Sequence, residues 1–265
     1  MDKVILNVYE SYDYSQFKKL IGNRNVENVQ KIVESVNNVG RLNIPIIVNE
    51  KLEIIDGQNR FDAWKQLGLS ILYIICDGYS IKECIKMNST SSNWRLEDYI
   101  NCYAEHGFKD YIALRKFENK YGKKLSNGVV RQVASGKIAS VPNNEIHNGT
   151  FRCGSSEDEI ENILEFLSEF NIPTTIRGNS KLLYRVFRFC YESDLIDNTR
   201  LYKQWNEQAS QISGITDIKS AAEAVERIYN FHKKTGYVFI ATEYRKFAEA
   251  KCCAVVGGGR CGWNV

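Results

Sequence analysis

The residues best suited to chemistry lie in one short segment, Asp56-Gly57-Gln58-Asn59-Arg60. The first turn of a helix carries N–H groups without acceptors and the positive end of the helix dipole. If a helix begins here, Gly57 lets a ligand approach the backbone, Gln58 and Asn59 offer amides, and Arg60 offers a planar fork for phosphate oxygens. The segment therefore predicts a cradle for a phosphate or a nucleotide, with a purely structural turn as the open alternative.

The elements around this segment fit that prediction. Two short β-branched runs, at 44–48 and 52–55, precede it, and residues 60–67 show the pattern of a compact helix. Asp56 has three readings at such a junction: it helps to hold a metal through water, it orients Arg60, or it caps the following helix. Asp62 is a further carboxylate, and nothing in its spacing requires it to join a site.

Metal or disulfide chemistry is not indicated elsewhere. The chain has eight Cys and three His, and it contains no Cys-x-x-Cys pair. Zinc sites usually need closely paired ligands, and most of these cysteines fall within apolar helical or strand patterns. We therefore predict reduced, packed thiols and no metal site built from cysteine.

The organisation of the chain predicts an α+β protein. Strand and helix signals alternate over the first hundred residues, and helical patterns alone follow. We predict a small α/β domain at 1–105, a basic helical segment with a linker at 106–150, and a helical domain with an irregular tail at 151–265. The 137–154 stretch, with Pro142, Asn143, Asn144 and Gly149, is the predicted linker.

Charge is uneven along the chain. The formal net charge is only +3, yet residues 109–140 carry eight Lys or Arg against two acids. Helical patterns on either side of Gly122 in this block are arranged like a helix-turn-helix, with Arg131 expected to be exposed. The block predicts contacts with DNA, for which the candidates are Lys123, Lys124, Arg131 and Lys137. Solvated helix faces are the alternative explanation.

Residues 14–105 resemble a known family. The order of a helix at 26–38, Gly40, Ile44-Pro45-Ile46-Ile47-Val48, Ile54-Ile55-Asp56-Gly57-Gln58-Asn59-Arg60, Ala63 and Leu67-Gly68 is similar to the N-terminal domain of ParB/sulfiredoxin-like proteins. The DGQNR segment is most similar to the Asp-Gly-Gln-His-Arg variant of phage and DNA-modification proteins. The resemblance implies a phage or mobile-element protein.

The resemblance also implies a ligand. Partition proteins of this family grip a triphosphate, usually of CTP with magnesium, at the equivalent turn. Carried over, this places Gly57, Gln58, Asn59 and Arg60 at the phosphates, with Asp56 beside them and Asn88 as the counterpart of a later family asparagine. Met87 stands where the family has Glu, which leaves CTP hydrolysis an open question. Gln58 fills the place of the sulfiredoxin nucleophile Cys, so sulfiredoxin chemistry is excluded.

These observations lead to one expected function and two alternatives. We expect a cytoplasmic ParB-like protein that binds DNA and uses a CTP-like nucleotide with Mg²⁺ as a switch; whether it is a weak CTPase stays open. The alternatives are a metal-dependent nuclease using Asp56 and perhaps Asp62, and a nucleotide-free repressor or interaction protein. A homodimer is an open alternative, and no membrane partner is expected, because the longest apolar run, at 69–76, is too short to span a bilayer.

Overall fold

The structure is a computed structural model that describes residues 6–23, 28–90, 94–138 and 140–255, apart from the side chains of 88–90 and 251–255. The chain divides into two compact units. Unit 1 comprises residues 1–112 and 146–150, and unit 2 comprises residues 113–145 and 151–265. This grouping differs from the predicted three-part division, because the basic segment belongs mostly to the same unit as the C-terminal helices.

Unit 1 is built on a five-stranded mixed sheet. The strands are β1 (Val8–Ser11), β2 (Lys18–Lys19), β3 (Ile46–Val48), β4 (Glu53–Asp56) and β5 (Ile71–Ile75). Their order is β1-β5-β3-β4-β2. The β3/β5 and β2/β4 pairs are parallel, and the β1/β5 and β3/β4 pairs are antiparallel. The central position of β3 follows from its composition, since Ile46 and Val48 are fully buried.

Two helices complete the core of unit 1 near the turn. Helix α1 (Val29–Val39) packs against α2 (Gln58–Gln66), and α2 packs against β3 and β5. The core joins the sheet to the apolar face of α2 through buried side chains: Phe17, Ile46, Val48, Ile54, Phe61, Trp64 and Ile71. Burial of this face fixes α2 on the sheet and therefore fixes where its first turn lies.

The remaining helices of unit 1 follow the last strand. Helix α3 (Ile81–Thr90) begins after Ser80, whose backbone N–H and hydroxyl both donate to Glu83, as the Ser80-x-x-Glu83 pattern predicts. Helix α4 (Leu96–Glu105) comes next, and α5 (Lys109–Leu125) starts in unit 1 and ends in unit 2.

Unit 2 is helical throughout its described residues. Its helices, after α5, are α6 (Asn127–Ala134), α7 (Asn143–His147, which ends in unit 1), α8 (Glu157–Ser168), α9 (Ser180–Glu192), α10 (Asn198–Gln208), α11 (Ile218–Tyr229) and α12 (Ile240–Val255). Short 3-10 helices lie at Thr174–Asn179 and Ala209–Gln211. Aromatic packing holds the centre: the rings of Phe170 and Phe187 stack at 4.2 Å, and Trp205 meets Phe187 edge-on at 4.7 Å.

The predicted α+β class is confirmed: the sheet lies in the first part of the chain, and the described residues after β5 form helices only. The apolar residues at 4–8 predict a first strand there, and Asn25 is the predicted cap of the first helix. Among the described residues the first strand is Val8–Ser11, and Asn25 lies outside the described residues. The predicted linker contains α7. Helix α12 continues to Val255, so the part of the tail that is described is helical.

In the part of the chain that is described, no helix combines the length and apolar character needed to cross a membrane.

Candidate functional site

The DGQNR segment forms the predicted turn between a strand and a helix. Asp56 ends β4, Gly57 is the turn residue, and α2 begins at Gln58. Gly57 has a φ of +98°, and a Cβ at this position would lie 2.6 Å from Cγ2 of Ile46. Only glycine meets both conditions without strain, so the tight packing of the turn on β3 explains this residue.

The first turn of α2 has no cap from its own N-cap residue. That residue is Gly57, which carries no side chain to accept from the N–H groups of the first turn. Gln58 is buried, with 8% of its surface exposed. Its amide is therefore poorly placed to meet a ligand, whereas its backbone N–H belongs to the uncapped first turn.

Arg60 folds back over the turn and pairs with Asp56. Its Nη2 donates to Oδ2 of Asp56 at 2.8 Å, and the two side chains are 24% and 38% exposed. The same Nη2 lies 3.0 Å from where a Cβ of Gly57 would be, so the guanidinium sits close above the glycine backbone. Because both partners are partly exposed, an anion that reaches the turn can compete with the carboxylate for Arg60. Three roles were considered for Asp56, and this contact corresponds to the role in which Asp56 orients Arg60.

Asn59 is tied to the neighbouring helix. Its Oδ1 accepts a hydrogen bond of 3.1 Å from the backbone N–H of Asn28, the N-cap residue of α1. No local sequence pattern predicts this contact, because it joins residues 31 positions apart. The bond leaves the Nδ2 group of Asn59 as the donor still available to a ligand.

The other candidates in unit 1 lie apart from this cluster. Asp62 forms an ion pair of 2.7 Å with Lys19 of β2. Asn88 lies in α3, and its side chain is outside the described residues. The structure therefore brings together Asp56, Gly57 and Arg60, with Gln58 and Asn59 on the same turn.

The DNA-binding candidates in unit 2 fall into two groups. Lys123 and Lys124 are exposed at the end of α5. Arg131 is 5% exposed, and its Nε donates to Oε1 of Glu118 at 2.5 Å. The expectation that Arg131 is exposed is wrong, because six of the eight residues of α6 are buried where the helix packs against α8 and α9.

Much of the basic block is neutralised within unit 2. Lys137 pairs with Glu145. Lys116 and Lys120 both approach Glu161 of α8, at 3.4 and 2.6 Å. Hydrogen bonds from Lys120 and then Lys116 hold the pKa of Glu161 below its usual range, so these pairs persist at neutral pH. The sequence count of cations therefore overstates the charge that is available to DNA.

Among the described residues, no group of three or more His, Cys, Asp or Glu is arranged to hold a metal ion. Burial, with a smaller contribution from Cys84, raises the pKa of the Cys102 thiol to about 12. Burial also raises the pKa of Cys190. Such thiols stay protonated at neutral pH and are inert as nucleophiles.

Comparisons with known proteins include a similarity to a solved structure. The chain is similar to a solved structure, the C2221 form of a Pnob8-like ParB-N domain, with 13% sequence identity over 94% of this chain and 99% of that chain. The TM-score is 0.33, and no argument about the site is drawn from this match. No family model and no curated protein matches the chain.

Proposed function

We propose that the chain is a ParB-like DNA-binding protein whose first unit binds a CTP-like nucleoside triphosphate at the Asp56–Arg60 turn. The nucleotide acts as a switch for DNA binding by the second unit. The proposal rests on the similarity of residues 14–105 to the ParB/sulfiredoxin-like family and on the chemistry of the turn.

One observation carries the nucleotide half of the proposal. A helix N-terminus without a side-chain cap meets a partly exposed guanidinium at Gly57, where backbone and side-chain donors converge on one small area. The helix dipole and the free N–H groups favour an anion there, and Arg60 adds a charge-assisted donor pair.

Magnesium fits this arrangement as a companion of the phosphates. Mg²⁺ is usually bound through one or two carboxylates together with substrate phosphate oxygens. Asp56 is the carboxylate within reach of the turn, and its other role is to hold Arg60. With phosphates bound to Arg60, Asp56 would be the residue that helps to hold Mg²⁺.

Isothermal titration calorimetry with CTP, ATP and GTP in the presence of Mg²⁺ tests the nucleotide site. We expect CTP to bind and Arg60→Ala to weaken binding by about tenfold or more, the value of one lost charge-assisted hydrogen bond. The matched control is Lys65→Ala, which removes an exposed cation from the last turn of the same helix. Equal affinities in wild type and Arg60→Ala would rule out a role for this guanidinium.

A second candidate function has an observation in its favour. Arg60 and Asn59 already have partners within unit 1, namely Asp56 and the Asn28 backbone. A nucleotide-free repressor or interaction protein would keep these contacts permanently. The Asp56→Asn variant separates the two ideas when it is titrated without Mg²⁺.

The nucleotide-binding and nucleotide-free roles predict different results for Asp56→Asn. If the turn is a phosphate site, loss of the competing carboxylate frees Arg60 and tightens CTP binding by about two- to fivefold, the worth of one exposed ion pair. If no nucleotide binds either protein, the nucleotide-free role is supported. The nuclease alternative has less support, because Asp56 and Asp62 are held in separate ion pairs.

A further inference from the structure

A groove in unit 2 gathers cations that form no ion pair among the described residues. It lies beside the turn between α5 and α6, opposite the segment that joins α8 to α9, and has a volume of about 560 Å³. Residues from two distant parts of the chain line it, among them Lys123, Lys124, Ser126, Arg177, Ser180 and Tyr184.

The groove is strongly positive. Lys123, Lys124 and Arg177 are exposed on it and form no ion pair within the described residues, whereas Glu169 is the one acid in its described lining. Lys181 of α9 is a further cation beside the start of α6, since its Nζ lies 3.5 Å from where a Cβ of Gly128 would be. Like charges gathered on one groove repel one another, so an anion bound among them relieves the repulsion.

The contrast with neighbouring cations makes this surface distinctive. Lys116, Lys120, Arg131 and Lys137 of the same basic block each pair with a carboxylate. Lys123 and Lys124 have no such carboxylate partner in the part of the chain that is described. The fold brings Arg177, more than 50 residues later in the sequence, to the same groove. Hydroxyl groups of Ser126 and Ser180 add neutral donors beside the three charges.

The form of the groove indicates the class of ligand. Small-molecule sites are enclosed and place a few polar groups at fixed positions. Here the cations are exposed on flexible stems around an open groove, an arrangement typical of contacts with the phosphates of a polymer. Helix α6 is largely buried and offers few side chains for reading base edges.

We infer that this groove binds the phosphodiester backbone of DNA without sequence preference, through Lys123, Lys124 and Arg177. The inference rests on the DNA-binding half of the proposed function and is independent of the nucleotide site. The sequence pattern predicted DNA contacts on an exposed face of α6. The inferred DNA surface is instead the groove, which residues after α8 complete.

Fluorescence anisotropy of a labelled random-sequence duplex of about 20 base pairs tests the inference over a series of salt concentrations. The variant replaces Lys123, Lys124 and Arg177 together with Gln. The control replaces Lys203, Arg227 and Lys234 with Gln; these are also two Lys and one Arg, exposed in unit 2 and unpaired among the described residues. Both variants change the net charge equally, and thermal unfolding checks that both are folded.

We expect the groove variant to bind about tenfold more weakly or worse, and its slope of log K against log salt to shrink by roughly two to three. The control should stay close to wild type. Equal weakening of both variants would overturn the groove while leaving DNA binding intact. No binding by wild type would overturn the groove and the DNA-binding half together, and CTP titration of the same protein reports separately on the nucleotide site.

Discussion

Arg60 can pair with two anions, the carboxylate of Asp56 within the chain and the phosphate of the proposed nucleotide. Its pairing with Asp56 at 2.8 Å keeps the guanidinium beside the backbone of Gly57. An exposed pair of this kind contributes up to about 1 kcal/mol, which a triphosphate with several charges can outcompete. The pairing therefore orients Arg60 near the helix N-terminus and makes its release depend on an incoming anion.

Gly57→Ala tests whether the shape of the turn depends on glycine. The left-handed backbone conformation and the contact of 2.6 Å with Ile46 should together lower the free energy of unfolding by about 2–4 kcal/mol. Urea unfolding measures the change. The control is Gly68→Ala at the other end of α2, where φ is +68° and no atom lies within 4 Å of the added Cβ.

The Gly68→Ala variant should lose only about 1 kcal/mol, because it carries the backbone cost without the clash. Equal losses in the two variants would mean that the contact with Ile46 has no energetic consequence. The sequence predicted a glycine turn here, but it could not predict Ile46 as the reason, since that contact depends on how β3 and β4 pair.

At the scale of elements, local signals predicted most of the helices. The capping box at Ser156 and Glu159 forms as its spacing indicates, and α8 begins at the next residue. The apolar repeat at Val29, Val33 and Val36 became α1, with Gly40 directly after its end. Such signals lie within a few residues of the boundary they predict and do not depend on tertiary packing.

Side-chain partners between elements could not be predicted in the same way. Arg131 looked exposed because it lies between two valines, but α6 is packed on several sides, and Glu118 of α5 neutralises it. Lys116 and Lys120 meet Glu161, more than 40 residues away in the sequence. The basic block and the acidic block at 157–169 are thus partly complementary to each other.

Arg131→Ala separates a structural role from a DNA-binding one. Both side chains of the Arg131–Glu118 pair are under 10% exposed, so removal of one leaves a buried charge and should cost about 3 kcal/mol or more. Urea unfolding measures this loss. The control is Lys123→Ala on the exposed end of α5, which should change stability by less than about 0.5 kcal/mol.

The same pair of variants should show the reverse order in DNA binding. Lys123→Ala should lower affinity for a random duplex, whereas Arg131→Ala, measured where it is still folded, should not. A stable Arg131→Ala protein with weakened DNA binding would place Arg131 at the DNA surface after all.

For the whole molecule, a small net charge conceals a strong local pattern. The formal charge of +3 is a small difference between 35 basic and 32 acidic residues. Ion pairs between α5 and α8 and within the α5–α6 hairpin cancel much of the basic block locally. The cations left over at the groove therefore dominate the field that a polyanion meets near that surface.

The chain passes between its two units more than once, which bears on where it can be divided. Residues 146–150 return to unit 1 after the excursion through 113–145. There, the backbone oxygen of Ile146 accepts a hydrogen bond of 3.1 Å from the fully buried Tyr111, and the oxygen of His147 accepts one of 3.1 Å from Tyr103. Sequence patterns placed a boundary near residue 105, since a returning segment of five residues leaves no periodic signal.

A continuous version of unit 1 should therefore be more stable than a fragment cut at residue 105. We expect residues 1–112, joined to 146–150 by a flexible Gly/Ser linker of about six residues, to fold cooperatively. The fragment 1–105 lacks Tyr111 and the returning segment, and it should be less stable by about 3 kcal/mol or more, the usual cost of deleting a buried aromatic side chain. Urea unfolding followed by tryptophan fluorescence compares the two, since Trp64 and Trp94 are buried in unit 1. Equal midpoints would show that 106–112 and 146–150 are dispensable to the sheet domain and would support the shorter boundary.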